Sequence, residues 1–235
     1  MKALILAAGL GTRLRLMTNS KPKALVDLNG RPLLDHAIEK LLMYGFDEIV
    51  INVHHFADMI EDFVKENYPE LNIKISDERT EIQGSGGALK HAQEFLGDYP
   101  FLVYNVDILS DINLSTMMKE FTARDASVLM AVRDRETKRK LLFNNQRLCG
   151  WKNKSTGEFK GCEGNEFAFS GIQIVHPCLL DDMPEGCFSI IDHYLSICEQ
   201  EKILAFDHSE GLWMDLGTPE RLEEANRLFK AKRVF

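Results

Sequence analysis

The chain has 235 residues, a formal net charge of −8 at pH 7 and a pI near 5.4. Its content of 45% hydrophobic and 27% charged residues is that of an ordinary soluble globule with a sizeable core. The acidic balance argues against nucleic acid as a partner, because duplex binding needs a basic surface, and no apolar stretch approaches the ~20 residues of a membrane span.

The first half of the sequence alternates between strand-like and helix-like segments. A buried strand is predicted over Lys2–Leu6, and a helix over Pro32–Tyr44 with Gly45 as its stop. Phe101–Val106 is a continuous apolar run, typical of a central strand covered on both faces. The alternation between these segments predicts further strands and helices at Glu48–Val53, Phe56–Glu66, Ile73–Ser76 and Gly87–Leu96.

The second half of the sequence changes character. A charged stretch, Arg133–Lys140, predicts a solvated turn with little functional content. Thr218 is expected to cap a last helix, whose C-terminal end carries Lys230, Lys232 and Arg233. The other predicted elements are strands at Ala126–Val132, Leu141–Phe143, Leu148–Lys152, Phe167–Val175, Ile203–Phe206 and Leu212–Leu216, and a helix at Ile190–Gln200. These patterns predict an α/β fold: a Rossmann-like mixed, mostly parallel sheet flanked by helices, with a small antiparallel subregion.

Cysteine usage and the N-terminus predict a cytoplasmic protein. The five cysteines are irregularly spaced and form no C-x-x-C pair, so we expect reduced thiols. The apolar run after Lys2 is short for a signal peptide and is followed at once by Arg13 and Arg15.

A basic stretch with a glycine-containing loop opens the chain. The first 26 residues contain five basic side chains and no acidic one, although the whole chain is acidic. The apolar run at 4–8 leads into Gly9 and Gly11, and Arg13 follows. Glycines let the backbone approach a ligand closely and turn its N–H groups toward anions. This pattern predicts a phosphate-handling loop after the first strand.

The same loop resembles the signature of sugar-1-phosphate nucleotidyltransferases. The string Leu-Ala-Ala-Gly-x-Gly-Thr-Arg covers residues 6–13, and Lys-Pro-Lys-Ala-Leu follows at 21–25. A P-loop is excluded because no Lys-Ser or Lys-Thr follows the glycines, and a dinucleotide fold needs a third glycine where Leu14 stands. The resemblance implies a nucleotide-diphospho-sugar transferase fold and a nucleotide-binding set of Ala8, Gly9, Gly11, Thr12, Arg13, Lys23, Gln83 and Gly87.

Two aspartates follow or interrupt apolar strands. Asp107 ends the run at 101–106, where the carboxyl ends of strands border a ligand crevice, although an aspartate there also often caps a turn. Asp215 interrupts Leu212–Leu216, where a buried carboxylate is costly without a partner. A divalent cation bound by both would remove that cost. The resemblance places the family's Mg²⁺ pair at these two positions, in the Asp-x-Gly-Thr-Pro-Glu context of residues 215–220.

The resemblance also implies an acceptor side and a base-contacting loop. In related enzymes, the positions that match Asn105, Gly150, Lys152 and Gly171 touch the sugar phosphate. Lys152 would supply a cation, whereas Gly150 and Gly171 could equally be strand bulges. The loop that contains Gln83 would contact the base, or else form a flexible turn with Ser85 as an N-cap. Trp151 and Trp213 are expected to pack. The chain departs from the family pattern at Leu16, Val106 and Asn153.

The expected activity is Mg²⁺-dependent transfer of a nucleotidyl group from a nucleoside triphosphate, UTP by preference, to a sugar 1-phosphate. Arg13 and Lys23 would be catalytic. The length resembles short N-acetylmuramate-1-phosphate uridylyltransferases and mannose-1-phosphate guanylyltransferases. A cytidylyltransferase for choline or alditol phosphate and a silent nucleotide-sugar sensor are the alternatives. We expect one domain over 1–235, facing the nucleotide up to about 110 and the sugar phosphate beyond, as a monomer or homodimer without nucleic-acid or membrane partners.

Overall fold

A computed structural model describes residues 1–230, in which strands and helices alternate as in an α/β protein. The first half contains β1 (Lys2–Leu6), β2 (Asp27–Leu28), β3 (Arg31–Pro32), α1 (Leu33–Met43), β4 (Glu48–Val53), α2 (Ala57–Asn67), β5 (Asn72–Asp77), α3 (Gly84–His91), α4 (Gln93–Leu96), β6 (Phe101–Asn105) and β7 (Ile108–Ser110). The second half contains α5 (Leu114–Ala123), β8 (Val128–Arg133), β9 (Arg139–Asn144), β10 (Arg147–Asn153), β11 (Phe159–Gly161), β12 (Asn165–Val175), α6 (Ile190–Ile197), β13 (Ile203–Asp207), β14 (Trp213–Asp215) and α7 (Pro219–Lys230).

One ten-stranded sheet runs through the described residues, in the order β11-β10-β13-β8-β12-β6-β1-β4-β5, with β9 paired to β10 and β12. Strands β6, β1, β4 and β5 are mutually parallel, and Leu4 lies between Val50 and Val103 in register. Their carboxyl ends therefore meet at one edge of the sheet, where ligands bind in folds of this kind. The predicted mixed sheet flanked by helices is confirmed.

Antiparallel pairing begins at the sheet's centre, because β12 runs antiparallel to both β6 and β8. The register of β12 against β8 shifts between Phe169 and Gln173, and that of β10 against β9 shifts between Leu148 and Gly150. Gly171, inside the first shift, has a φ of 77°. Gly150 and Gly171 thus lie at strand irregularities, as one of the two sequence interpretations held.

Two apolar clusters cover the two faces of the sheet. One contains inward residues of α1, α2 and α5, such as Ile38, Ile60 and Met117. The other contains residues of α3, α4 and α6, such as Leu89 and Tyr194. A third, smaller cluster joins α7 to β7 and β14 through Leu222, Leu109 and Met214. Because the parallel strands are buried on both faces, they are held rigidly, and residues at their carboxyl ends are held in defined positions.

Several elements differ from their predicted bounds. The helix predicted at Gly87–Leu96 begins at Gly84 and breaks at Ala92, and the one predicted at Ile190–Gln200 ends at Ile197. Helix α5 and strands β2, β3, β7 and β11 were not predicted. Lys232 and Arg233 lie outside the described residues. Within residues 1–230, no helix is both long and apolar enough to cross a membrane.

Candidate functional site

A cleft of about 300 Å³ opens at the carboxyl ends of β1, β4 and β6. Its wall includes five of the predicted site residues, namely Ala8, Gly9, Lys23, Asn105 and Asp107. Its remaining wall is formed by Leu6, Ala7, Asn52, Glu78, Ile82, Gly84, Ser85 and Val106. The glycine loop, the predicted cation Lys23 and the predicted carboxylate Asp107 therefore all line the same cleft.

The glycine loop folds closely over Lys23. Gly11 has a φ of +63°, and a Cβ there would lie 2.8 Å from the Thr18 side chain and 3.1 Å from Cβ of Lys23. The Thr18 hydroxyl also donates to the Gly11 carbonyl at 3.1 Å. At Gly9, by contrast, a Cβ would meet open space. Gly11 thus permits the tight turn, while Gly9 leaves the backbone accessible from the cleft.

Lys23 and Asp107 form an ion pair in the wall of the cleft. Lys23 begins a short 3₁₀ helix after Pro22, and buried Ala24 anchors this turn. Its ammonium contacts the Asp107 carboxylate directly, and the two side chains are only 11% and 15% exposed. Solvent therefore screens this ion pair much less than it screens an ion pair at the protein surface.

Asp215 lies beside Asp107 because β14 pairs with β7. In this two-stranded ladder Asp215 is opposite Ile108, and the Leu216 N–H donates to the Asp107 carbonyl at 2.8 Å. Oδ1 of Asp215 accepts the Gly217 N–H at 2.8 Å, and Oδ2 lies 3.7 Å from Nη2 of Arg13. The ladder thus places the two aspartates on neighbouring backbone segments, each with its carboxylate beside a cationic side chain.

The loop around Gln83 packs against the chain's own segment 186–188. A Cβ at Gly86 would lie 2.2 Å from the Phe188 ring, and one at Gly87 would lie 2.1 Å from the Gly186 carbonyl oxygen. At these two positions the missing side chains therefore make room for protein and not for a base. The Gln83 side-chain amide donates to the Glu81 carbonyl at 3.1 Å. Ser85 does not cap its own helix, since its hydroxyl accepts the Ile190 N–H at 3.0 Å.

The predicted acceptor-side residues fall into two groups. Gly171 packs on Asn105, because a Cβ at Gly171 would lie 2.9 Å from the Asn105 amide nitrogen. Lys152 and Gly150 lie on β10, away from the cleft wall. Nζ of Lys152 is 2.5 Å from Oε1 of Glu166, and Lys154 contacts the other Glu166 oxygen at 3.0 Å. The two lysines lower the pKa of Glu166 to about 2, and this single carboxylate is shared between the two ammonium groups.

Arg135 is a cation near the site that the sequence interpretation did not select. Its guanidinium lies 4.5 Å from the centroid of the Trp213 ring, and its buried Nε has no hydrogen-bond partner among residues 1–230. Trp213 and Asp215 alternate with Met214 and so share one face of β14. Burial lowers the pKa of Arg135, whereas the Asp215 charge raises it. The charged segment 133–140 thus carries one residue directed toward the site.

Trp213 itself packs, as predicted. It is 9% exposed, and its indole N–H donates to the Ser170 carbonyl at 2.9 Å. Asn52 and Glu78 of the cleft wall are further residues that the sequence interpretation missed. Neither Asn52 nor Glu78 belongs to a recognisable sequence motif. The only available signal was a polar residue inside or just after an apolar strand.

Comparison with known proteins relates this geometry to chemistry. Residues 2–141 match the model of the nucleotidyl transferase family. The chain is 31% identical to the N-acetylmuramate alpha-1-phosphate uridylyltransferase of Caulobacter vibrioides, over 97% of both chains. It is 32% identical to mannose-1-phosphate guanylyltransferase 1 of Arabidopsis thaliana, over 97% of this chain and 64% of that protein. The crystal structure of HddC from Yersinia pseudotuberculosis complexed with GMP-PN is similar, with a TM-score of 0.78 and 26% identity, covering 97% of this chain and 99% of that one.

Proposed function

Because this chain belongs to the nucleotidyl transferase family, we propose that it transfers a nucleotidyl group from a nucleoside triphosphate to a sugar 1-phosphate. The observation that carries the proposal is the pair of cation–carboxylate contacts: Lys23 with Asp107 in the wall of the cleft, and Arg13 with Asp215 on the strand that pairs with the residues following Asp107. In this proposal residues 1–235 act as one domain, with the nucleotide facing the half up to about 110 and the sugar phosphate facing the rest.

The reaction is an in-line displacement at phosphorus. An oxygen of the sugar phosphate bonds to the α-phosphorus, and the bond from that phosphorus to the bridging oxygen of pyrophosphate breaks. The attacking phosphate is already ionised near neutral pH, so no side chain has to remove a proton. The glycine-loop N–H groups and Arg13 hold the triphosphate, and Lys23 neutralises charge at the α-phosphate. The protein contributes mainly position and electrostatic stabilisation.

Asp107 and Asp215 are the residues that would hold Mg²⁺. Their hard carboxylate oxygens are the ligands this cation prefers, and one or two carboxylates suffice when substrate phosphates complete the coordination. Residues 1–230 contain no cluster of three or more His, Cys, Asp or Glu side chains that could hold a metal. When bound, the cation would supply charge neutralisation for the triphosphate.

The proposal is tested by pyrophosphate release from the wild-type chain, measured with four nucleoside triphosphates against several sugar 1-phosphates. We expect release that requires both substrates and a divalent cation. Choline phosphate and an alditol phosphate serve as acceptors that test the cytidylyltransferase alternative. Absence of release from every pair, with nucleotide binding intact, would instead support the sensor alternative.

We expect UTP to be preferred over GTP and CTP, with an N-acetylated hexose 1-phosphate as acceptor. The match to the uridylyltransferase spans 97% of both chains, whereas the match to the guanylyltransferase spans 64% of the latter. A site built to hydrogen-bond one base discriminates strongly, because the wrong base leaves buried groups unpaired. The measurement is kcat/KM for UTP, GTP and CTP at one acceptor concentration. A preference for GTP with mannose 1-phosphate would replace the uridylyl assignment by the guanylyl one.

Arg135 is the cation that we assign to the acceptor phosphate, because its buried Nε has no hydrogen-bond partner among residues 1–230 and its guanidinium lies over Trp213, on the same face of β14 as Asp215. Arg135→Met is expected to raise KM for the sugar 1-phosphate by about 10-fold or more, the scale of a hydrogen bond to a charged group, with little change in KM for the triphosphate. Lys138→Met, at an exposed position of the same segment, is the matched control. Equal changes in both KM values would argue against this assignment.

A further inference from the structure

A buried chain of hydrogen bonds joins the glycine loop to the loop around Gln83. Oδ1 of Asn52 accepts the N–H groups of Ala7 and Ala8, at 2.6 and 3.4 Å. Nδ2 of Asn52 donates to Oε1 of Glu78 at 2.9 Å, and Oε2 of Glu78 accepts the Gln83 N–H at 3.1 Å. Asn52 is 3% exposed and Glu78 only 1%. Two loops that are far apart in sequence are thus connected through two side chains.

The hydrogen-bond pattern favours a carboxylate at position 78, because one donor faces each of its two oxygens. The amide of Asn52 cannot reverse, because its oxygen must accept the backbone N–H groups of the glycine loop. Its NH₂ group therefore faces Glu78 from one side, while the Gln83 N–H faces Glu78 from the other. A carboxylate accepts at both oxygens, whereas a glutamine would place an N–H against one donor.

The buried charge of Glu78 points to a specific role. In the described part of the chain, no cationic side chain forms an ion pair with Glu78 within 4.0 Å. The hydrogen bonds to its carboxylate come from two neutral groups, the Asn52 amide and the Gln83 N–H. Burying a carboxylate in this way is costly compared with an apolar side chain. A buried carboxylate is therefore expected where its hydrogen bonds define a geometry that apolar packing would not define. Here it fixes the separation of the two loops.

We propose that Asn52 and Glu78 are positioning residues that set the distance between the glycine loop, which would hold the triphosphate, and the loop around Gln83, which would contact the base (the base loop). Through that distance they would set nucleotide affinity and base selection. The inference rests on the proposed function for the identity of the ligand. Glu78 borders the cleft but is only 1% exposed, so in this proposal it acts mainly through Asn52, Ala7, Ala8 and Gln83. The other side of the base loop is already fixed, because the Phe188 N–H donates to the Gln83 carbonyl at 3.1 Å.

A reciprocal exchange of the two side chains tests this role. In Glu78→Gln an N–H of the new amide faces a donor, and in Asn52→Asp two carboxylates face each other. In the double variant Asn52→Asp/Glu78→Gln, Asp still accepts from Ala7 while Gln donates to Asp and accepts from Gln83. We expect each single variant to raise KM for the triphosphate about 10-fold or more, with a smaller change in kcat and weaker discrimination between UTP and GTP. The double variant should return KM to within about threefold of wild type.

Direct binding of UTP and of GTP, measured by calorimetry, separates this inference from the proposed function. If the wild type releases no pyrophosphate but the affinities follow the pattern of loss and rescue, the positioning role stands and the proposed function fails. Glu81→Gln, the same substitution at an exposed position of the loop, should leave both affinities unchanged. Single variants that lower the melting temperature without changing nucleotide affinity would overturn the inference, as would a double variant that regains stability but not affinity.

Discussion

Asp107→Asn and Asp215→Asn are each expected to lower the turnover number by about 10²–10³-fold, the scale of losing one preorganised electrostatic contact in a transition state. Asparagine keeps the shape of each side chain but removes the charge that would hold Mg²⁺. At position 215 it also preserves the acceptor for the Gly217 N–H, so the local turn is retained. The measurement is the initial rate of pyrophosphate release with saturating UTP, sugar 1-phosphate and Mg²⁺.

Two controls make this result specific to the metal. Asp62→Asn, on the exposed side of α2, removes the same charge far from the cleft and should leave the turnover number unchanged. Thermal unfolding of each variant checks that the fold is intact. Near-normal pyrophosphate release from either site variant, or from the wild type in excess chelator, would contradict a metal role for these carboxylates.

The parallel half of the fold could be predicted from local sequence. Strands Lys2–Leu6 and Glu48–Val53 have the bounds that their apolar runs predict, because burial on both faces demands unbroken apolar residues. Helix α1 differs from its prediction by one residue at each end. In these elements the local pattern and the tertiary environment require the same residues, so the sequence alone is sufficient.

Most of the unpredicted elements have a sequence signal that is short or depends on distant partners, and helix α5 is the exception. Strands β7 and β11 have three residues each, too few for an alternating pattern to be distinguished. Helix α5 did carry a signal, since the Asn113 side chain caps it by accepting the Thr116 N–H at 2.9 Å. The antiparallel register of β12 is set by its neighbours β6, β8 and β9, which no local pattern reports.

The site divides in the same way. Residues within contiguous motifs, such as Gly11 and Lys23, could be chosen from the sequence because spacing and composition were informative together. The Asn52–Glu78 contact spans 26 residues, and Arg135 comes near Asp215 through its contact with Trp213, which is far away in the sequence. Likewise the ion pair between Lys152 and Glu166 joins two strands and could not be read from local sequence. Such pairings are products of tertiary structure.

Lys23→Ala is expected to lower the turnover number by about 10²–10³-fold, equivalent to ~2.7–4 kcal/mol of transition-state stabilisation. The Lys23 ammonium is 11% exposed, so its field acts on the α-phosphate with little screening by solvent. We expect Arg13→Ala to lower turnover on the same scale through lost contact with the triphosphate. Arg13 is 59% exposed, and its effect should therefore weaken more as ionic strength rises.

Whether Lys23→Ala changes kcat or KM shows whether Lys23 stabilises the transition state or binds substrate and transition state equally. If the ammonium stabilises charge that develops during transfer, kcat falls while KM for UTP changes little; unchanged kcat with a modest rise in KM would mean equal binding of substrate and transition state. Lys21→Ala, two residues away and without a predicted role, is the matched control. Because Lys23 and Asp107 contact each other, the double variant Lys23→Ala/Asp107→Asn should lose less activity than the product of the two single losses. Multiplicative losses would show that the two residues act independently, in contradiction to a shared role at the α-phosphate.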